Sequence, residues 1–277
     1  MSVRVRRTLR RLAPAPLRVT ERDSALLEAL GRMKHAATRQ LARLAFGQSR
    51  SAANKRLRRL LDAGLIRAWV PRLDGENVYG LTPRGARLLG EPPAGTSAWP
   101  TPRGLDGNLQ HLLELGSVRI ALAVTLAEAG LVLEWWRSYW ELQVCFRESV
   151  IPDALFRVTW GGRGQVFALE LDRTTPAAQA FVRRILRYEA LEGRAYGVSG
   201  FTLLVVGGQA GWLERYRQRL AQHPLRTPVW FATLAEVEGR GIQASWCSTR
   251  GEQIPSLRAL LPVRKGRGGE VGDEIAG

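Results

Sequence analysis

Ser49-Arg50-Ser51-Ala52-Ala53-Asn54-Lys55-Arg56-Leu57-Arg58-Arg59-Leu60-Leu61-Asp62-Ala63-Gly64-Leu65-Ile66 carries the clearest structural signal in the 277-residue chain. Leu57, Leu60 and Leu61 recur at helical spacing and make one apolar stripe. Ser49 or Ser51 can cap the first turn, and Gly64 suits the left-handed conformation that closes helices. The opposite face presents Arg50, Asn54, Lys55, Arg58 and Arg59. Upstream, a helix is expected after Thr20, with Leu26, Leu27 and Leu30 on its apolar face, and a second from about Thr38 through Leu41 and Leu44. Downstream, Ile66 to Val70 and Val78 to Leu81 read as the arms of a hairpin around a turn-rich segment from Pro71 to Asn77. Thr82-Pro83 then supplies a cap and a first-turn proline for a short helix through Leu89, stopped by Gly90.

Helix, helix, helix, hairpin over residues 20–90 is the order of a winged helix-turn-helix. In that module the second helix of the pair enters the major groove and residues near its N-terminus reach base edges. Here it offers Arg50, Ser51, Asn54, Lys55 and Arg58, with Arg59 beside them. Arg pairs bidentately with guanine and Asn with adenine, while the other cations suit phosphates. Arg67 and Arg72, near the base and tip of the hairpin, are placed for the DNA backbone or minor groove.

Charge distribution supports the same reading. The chain holds 41 basic and 25 acidic residues, a net charge of +16, and all the basic residues except Lys34, Lys55 and Lys265 are arginine. An arginine-rich genome would spread that excess evenly, yet residues 1–90 hold 20 basic and 6 acidic residues against 21 and 19 in residues 91–277. The first third is therefore the expected nucleic-acid contact. Residues 1–19 carry Arg4, Arg6, Arg7, Arg10, Arg11 and Arg18 without an acid, and Pro14 and Pro16 oppose a helix, so a basic arm is expected there.

The remainder reads as an ordinary globular α/β unit. Overall, 45% of residues are hydrophobic and 24% charged, which excludes a disordered chain. The run from Ile120 to Leu133 falls short of the ~20 apolar residues of a membrane span, and the N-terminus lacks the features of a secretory signal. A cytoplasmic protein with no membrane partner is expected. Cys145 and Cys247 have neither metal-ligand nor redox spacing. Residues 91–108, with four Pro and three Gly, read as a linker. Over 109–263 the pattern predicts a helix from Leu109 to Glu128 and strand-like runs at Leu131 to Trp136 and Trp140 to Phe146. A hairpin with arms Asp153 to Trp160 and Gln165 to Leu171 follows. Then come a helix from Pro176 to about Leu191, a strand from Phe201 to Val206, a helix from Trp212 to Gln222 and a strand from Pro228 to Thr233. Such alternation implies a mixed sheet flanked by helices. The Gly-rich, charged tail 264–277 is expected to be disordered.

In the predicted hairpin Asp153 opens one arm and Glu170 ends the other, so pairing brings both carboxylates to one end of the sheet. Asp172 shares the face of Glu170 because strand side chains alternate. Asp153 and Glu170 are thus candidate ligands for Mg²⁺, which takes carboxylate oxygens and could activate a water against a phosphodiester. His111 reads as a polar residue at a helix–sheet junction, and Glu114 as a neighbour of the cluster if the helix packs over that end.

Four segments together resemble the plasmid replication-relaxation family: His111, Ile151-Pro152-Asp153-Ala154-Leu155, Ala168-Leu169-Glu170-Leu171-Asp172-Arg173-Thr174 and Arg184-Ile185-Leu186-Arg187-Tyr188. The resemblance covers roughly residues 20–235 and implies service to plasmid, conjugative or other mobile DNA. Pro152-Asp153 with Glu170-Leu171-Asp172 is similar to the PD-(D/E)xK nuclease motif, which implies a restriction-endonuclease-like domain. Asp172 departs from that motif, where a lysine would orient or deprotonate water. The family pattern places a lysine on the following helix instead, where this chain has Arg184, and an arginine stays protonated and cannot act as a base.

The leading expectation is a sequence-specific double-stranded DNA-binding protein of a plasmid or mobile element, serving replication, transfer or regulation with a nuclease-like scaffold. It needs no cofactor for DNA binding. The alternatives are an Mg²⁺-dependent nuclease or nickase using Asp153, Glu170, Asp172 and Arg184, and a module that recruits replication or DNA-transfer proteins. A homodimer is compatible with all three.

Overall fold

Thr20 opens the first helix through a reciprocal cap. Its hydroxyl accepts the Asp23 N–H, while the Asp23 carboxylate accepts the Thr20 N–H at 2.7 Å. The computed structural model describes residues 17–70, 75–90, 106–172, 178–191 and 195–261. The expected basic arm (save residues 17–19), the hairpin tip with Arg72, the linker up to residue 105 and the C-terminal tail lie outside the described residues.

The chain runs α1 (Glu21–Met33), β1 (Ala36–Ala37), α2 (Thr38–Ala45), α3 (Arg50–Asp62), β2 (Ile66–Trp69), β3 (Val78–Leu81) and α4 (Pro83–Leu88). Ser49 caps α3, and Gly64 just beyond it has φ +69°. β2 and β3 pair antiparallel, and β1, too short to announce itself in the sequence, joins the other edge of β3. Leu26, Leu27, Leu30, Leu41, Leu57 and Leu60 are completely buried between α1, α2 and α3. Gly85 in α4 is required by close packing, because a Cβ there would lie 2.1 Å from the Leu65 carbonyl oxygen.

After α5 (Asp106–Glu128) come β4 (Val132–Ser138), α6 (Tyr139–Cys145), β5 (Ala154–Trp160), β6 (Arg163–Asp172), α7 (Ala178–Glu189) and β7 (Thr202–Gly207). They are followed by α8 (Ala210–Leu220), β8 (Val229–Thr233), α9 (Leu234–Arg240), β9 (Trp246–Ser248) and β10 (Gln253–Ile254). The strands form one seven-stranded mixed sheet in the order β10-β9-β8-β7-β6-β5-β4, with β6, β7 and β8 parallel and the rest antiparallel. The β5–β6 hairpin turns at Gly161-Gly162, both with positive φ.

One face of the sheet, with Phe156, Phe167, Leu169 and Val206, packs on Val118 and Leu122 of α5 and Val237 of α9. The other, with Leu155, Ala168, Leu203 and Val205, packs on Phe181 and Ile185 of α7 and Leu213 and Tyr216 of α8. The chain is thus a mixed α/β protein whose large sheet is flanked by helices.

Two expectations are corrected. Trp140 to Phe146 does not extend as a strand: Glu141 accepts the Ser138 N–H at 2.8 Å, starting α6 directly after β4. Ser138-Tyr139-Trp140-Glu141 is a capping-box sequence, and that polar signal outweighs the aromatic run. α5 is also long and apolar enough, from Leu109 to Glu128, to cross a membrane by length and composition. Its apolar character is used inside the fold. Leu115, Val118, Leu122 and Leu126 meet the sheet, Ile120 joins the core of α1–α3, and the Gln40 side chain of α2 donates to the Leu113 carbonyl and the Ser117 hydroxyl.

Candidate functional site

Two polar regions merit description, and the first is the outer face of α3. Burial of Ala53, Leu57 and Leu60 turns Arg50, Ser51, Asn54, Lys55, Arg58 and Arg59 to solvent, and all six are exposed. Arg58 pairs with Asp62 one turn on at 3.1 Å. Arg50, Lys55 and Arg59 have no acidic partner within ion-pair distance among the described residues. Arg56 points the other way. It bonds both carboxylate oxygens of fully buried Asp23 and the Arg18 carbonyl, locking α3 to α1. Burial pushes the Asp23 carboxyl up, but the bonds from Arg56 and Thr20 outweigh it and hold it below its ordinary value. Arg67, expected to lie along DNA, is half-buried with its guanidinium 5.8 Å from the centre of the Trp69 ring, and burial lowers its pKa.

The second region is the end of the sheet where β5 begins and β6 finishes. Ala154 pairs with Leu169, so Asp153 and Glu170 stand beside each other at the next register position. Asp153 accepts the Leu171 N–H at 2.8 Å through one oxygen, and its other oxygen lies 3.1 Å from Nε2 of His111 on α5. Glu170 is 4% exposed. Its two oxygens take the Tyr188 hydroxyl and, at 2.7 Å, the Arg184 guanidinium, both from α7. Burial and the neighbouring Asp153 push the Glu170 carboxyl up to about 8, and Arg184 and Tyr188 recover only part of that shift. Arg184 stays a cation, since the charges of Glu170 and Asp153 outweigh its own burial. Asp172 faces the same side but meets the hydroxyl of Tyr216 on α8, and burial together with that contact raises the tyrosine pKa.

Residues 27–204 match the model of the replication-relaxation family, a span that takes in both regions. The chain belongs to that family. Membership points to a role in plasmid replication and relaxation. No curated protein and no solved structure matches the chain.

In this replication-relaxation protein the carboxylate pair does not fit a divalent cation as it stands. All four oxygens of Asp153 and Glu170 already have partners, one of them a cation, and Glu170 holds a proton more readily than an ordinary carboxyl. Mg²⁺ prefers ionised oxygens and several retained waters. Among the described residues no group of three or more His, Cys, Asp or Glu is placed to hold a metal. The structure therefore joins Asp153, Glu170 and Arg184, as the motif implies, and directs Asp172 to a separate contact. Arg184 pairs with Glu170. Tyr188 went unassigned in the sequence. Its signal was the i,i+4 spacing from Arg184, which puts both on one helix face. His111 gains a named partner in Asp153.

Proposed function

We propose that this replication-relaxation protein binds double-stranded DNA sequence-specifically, with α1–α4 and their small sheet acting as a winged helix and α3 as the reading helix. The observation that carries this reading is the solvent face of α3, where Arg50, Ser51, Asn54 and Lys55 cluster at the N-terminal end, backed by Arg58 and Arg59. Arg and Asn recognise guanine and adenine edges, and the surrounding cations neutralise phosphates. The protein serves a plasmid or mobile element in replication, transfer or regulation. Its larger sheet is a PD-(D/E)xK-like scaffold whose carboxylates are held by Arg184, Tyr188, His111 and the chain itself. DNA binding needs no cofactor.

The test is binding of the full chain to duplex fragments selected from random sequence. Losing bidentate base contacts in an Arg50→Ala, Asn54→Ala double variant is expected to cost about 1 to 3 kcal/mol per contact and to relax selectivity. Unchanged affinity and preference would remove α3 from the reading role. Plasmid incubated with the protein and Mg²⁺ is expected to remain supercoiled. Efficient nicking abolished by Asp153→Ala would overturn the scaffold assignment.

A further inference from the structure

We infer that the cleft between α6 and α7 is a second nucleic-acid site, one that takes a single DNA strand. This site is separate from α3 and does not rest on the duplex reading. The cleft has a volume of about 440 Å³ and opens beside the Glu170–Arg184 pair. Arg183, Arg184 and Arg187 of α7 line one wall, and Tyr139 and Gln143 of α6 line the other. Arg183 and Arg187 are exposed, with no acid at ion-pair distance among the described residues. They sit four positions apart on one helix face, about 6 Å from each other, a spacing commensurate with successive phosphates of an extended strand.

Glu189, the one acid of α7, turns toward the segment before β8, where its oxygens accept the Arg226 and Thr227 N–H groups at 2.7 and 2.9 Å. Among the described residues Glu148 is the single acid lining the cleft against three arginines, and its field also falls on Tyr196. Arg184 is anchored by Glu170, which holds the middle cation in place.

The opposite wall offers an aromatic surface. Tyr139 is 41% exposed, unusual for a large aromatic side chain, and Gln143 one turn on donates to its hydroxyl. A tyrosine face opposite a row of arginines is the arrangement that stacks an unpaired base while its backbone is neutralised. The cleft is on the scale of a nucleotide and not of a duplex, so a single strand is the occupant that fits. Melted DNA at a replication origin presents such a strand.

The experiment is fluorescence anisotropy of the full-length protein with labelled oligothymidine, which has no duplex structure. Binding that weakens as salt rises is expected. An Arg183→Ala, Arg187→Ala variant should bind at least tenfold more weakly at about 100 mM salt and lose about 1.4 from the salt slope, at about 0.7 per phosphate contact. Tyr139→Ala should lose about tenfold and Tyr139→Phe should retain affinity, since the ring does the stacking. An Arg50→Ala, Asn54→Ala variant should lose duplex selectivity and keep oligothymidine binding, so failure of one site is distinguishable from failure of the other. Parent protein that ignores oligothymidine at low salt, or an α7 variant that binds it as the parent does, would overturn the assignment. So would loss of oligothymidine binding in the α3 variant alone.

Discussion

On α3, Arg50, Lys55 and Arg59 face water with Asp62 the only acid on the helix, whereas at the end of β6 Arg184, Tyr188 and His111 converge on Glu170 and Asp153. The two regions treat polar groups in opposite ways. Cations left in solvent are free to neutralise the phosphates of a polyanion and release the counterions condensed on it. Carboxylates drawn into a buried network have each oxygen engaged by a neighbour, so they add order to the fold and offer less to a ligand. A motif residue therefore acquires its role from where its charge is spent, and α3 contains both cases. Arg56 is consumed by Asp23 while its neighbours remain outward.

The largest effect is expected from breaking that one inward pair. Asp23→Ala strips Arg56 of its buried partner and α1 of the carboxylate half of its capping box, so stability to urea should fall by about 3 kcal/mol. A loss under 1 kcal/mol would mean that Arg56 is as dispensable as the solvent-facing cations, and the contrast would collapse.

A second effect, smaller at any one pH unit, is expected at Glu170 as a change in pH dependence. Its folded pKa, about 8, lies above the ordinary value of 4.5, so the folded protein binds the extra proton between those values and stability falls as pH rises through the window. One proton corresponds to at most about 1.4 kcal/mol per pH unit. Glu170→Gln should flatten the stability profile by up to that slope between pH 5 and 8, by roughly 1 kcal/mol per unit. Parallel profiles for parent and variant would show that Glu170 ionises like a surface carboxylate.

The smallest effect sharpens the other side of the contrast. Asp62→Ala removes an exposed i,i+4 pair with Arg58, so stability should stay within about 0.5 kcal/mol. Freed of that acid, the α3 face should bind duplex DNA slightly tighter, by about twofold at low salt. Weakened duplex binding would mean that Asp62 holds Arg58 in a productive position.

Much of this organisation was legible because its causes are local. The leucine stripe and Ser49 cap of α3, the Gly161-Gly162 turn and the capping of α1 by Thr20 depend on residues within a few positions of each other. The same holds for the placement of Asp153 beside Glu170, since a tight hairpin determines register. α6 was also locally encoded, but its Ser138–Glu141 cap competed with an aromatic run that resembles a strand. β1 left no trace, because two alanines have no periodicity and pair only when β3 is already beside them.

From the amino-acid sequence alone follow the three-helix unit with its cationic face, the alternating α/β order of the remainder and the pair of carboxylates at one hairpin end. Tertiary structure decided what those groups have left to give. It took Arg56 out of the α3 face and buried Glu170 between Asp153, Arg184 and Tyr188. It also sent Asp172 to Tyr216, laid α5 against both cores and opened the arginine-lined cleft beside α6. The physical reason is that ionisation and hydrogen-bond capacity depend on burial and on partners far apart in the chain, and periodicity carries no record of either.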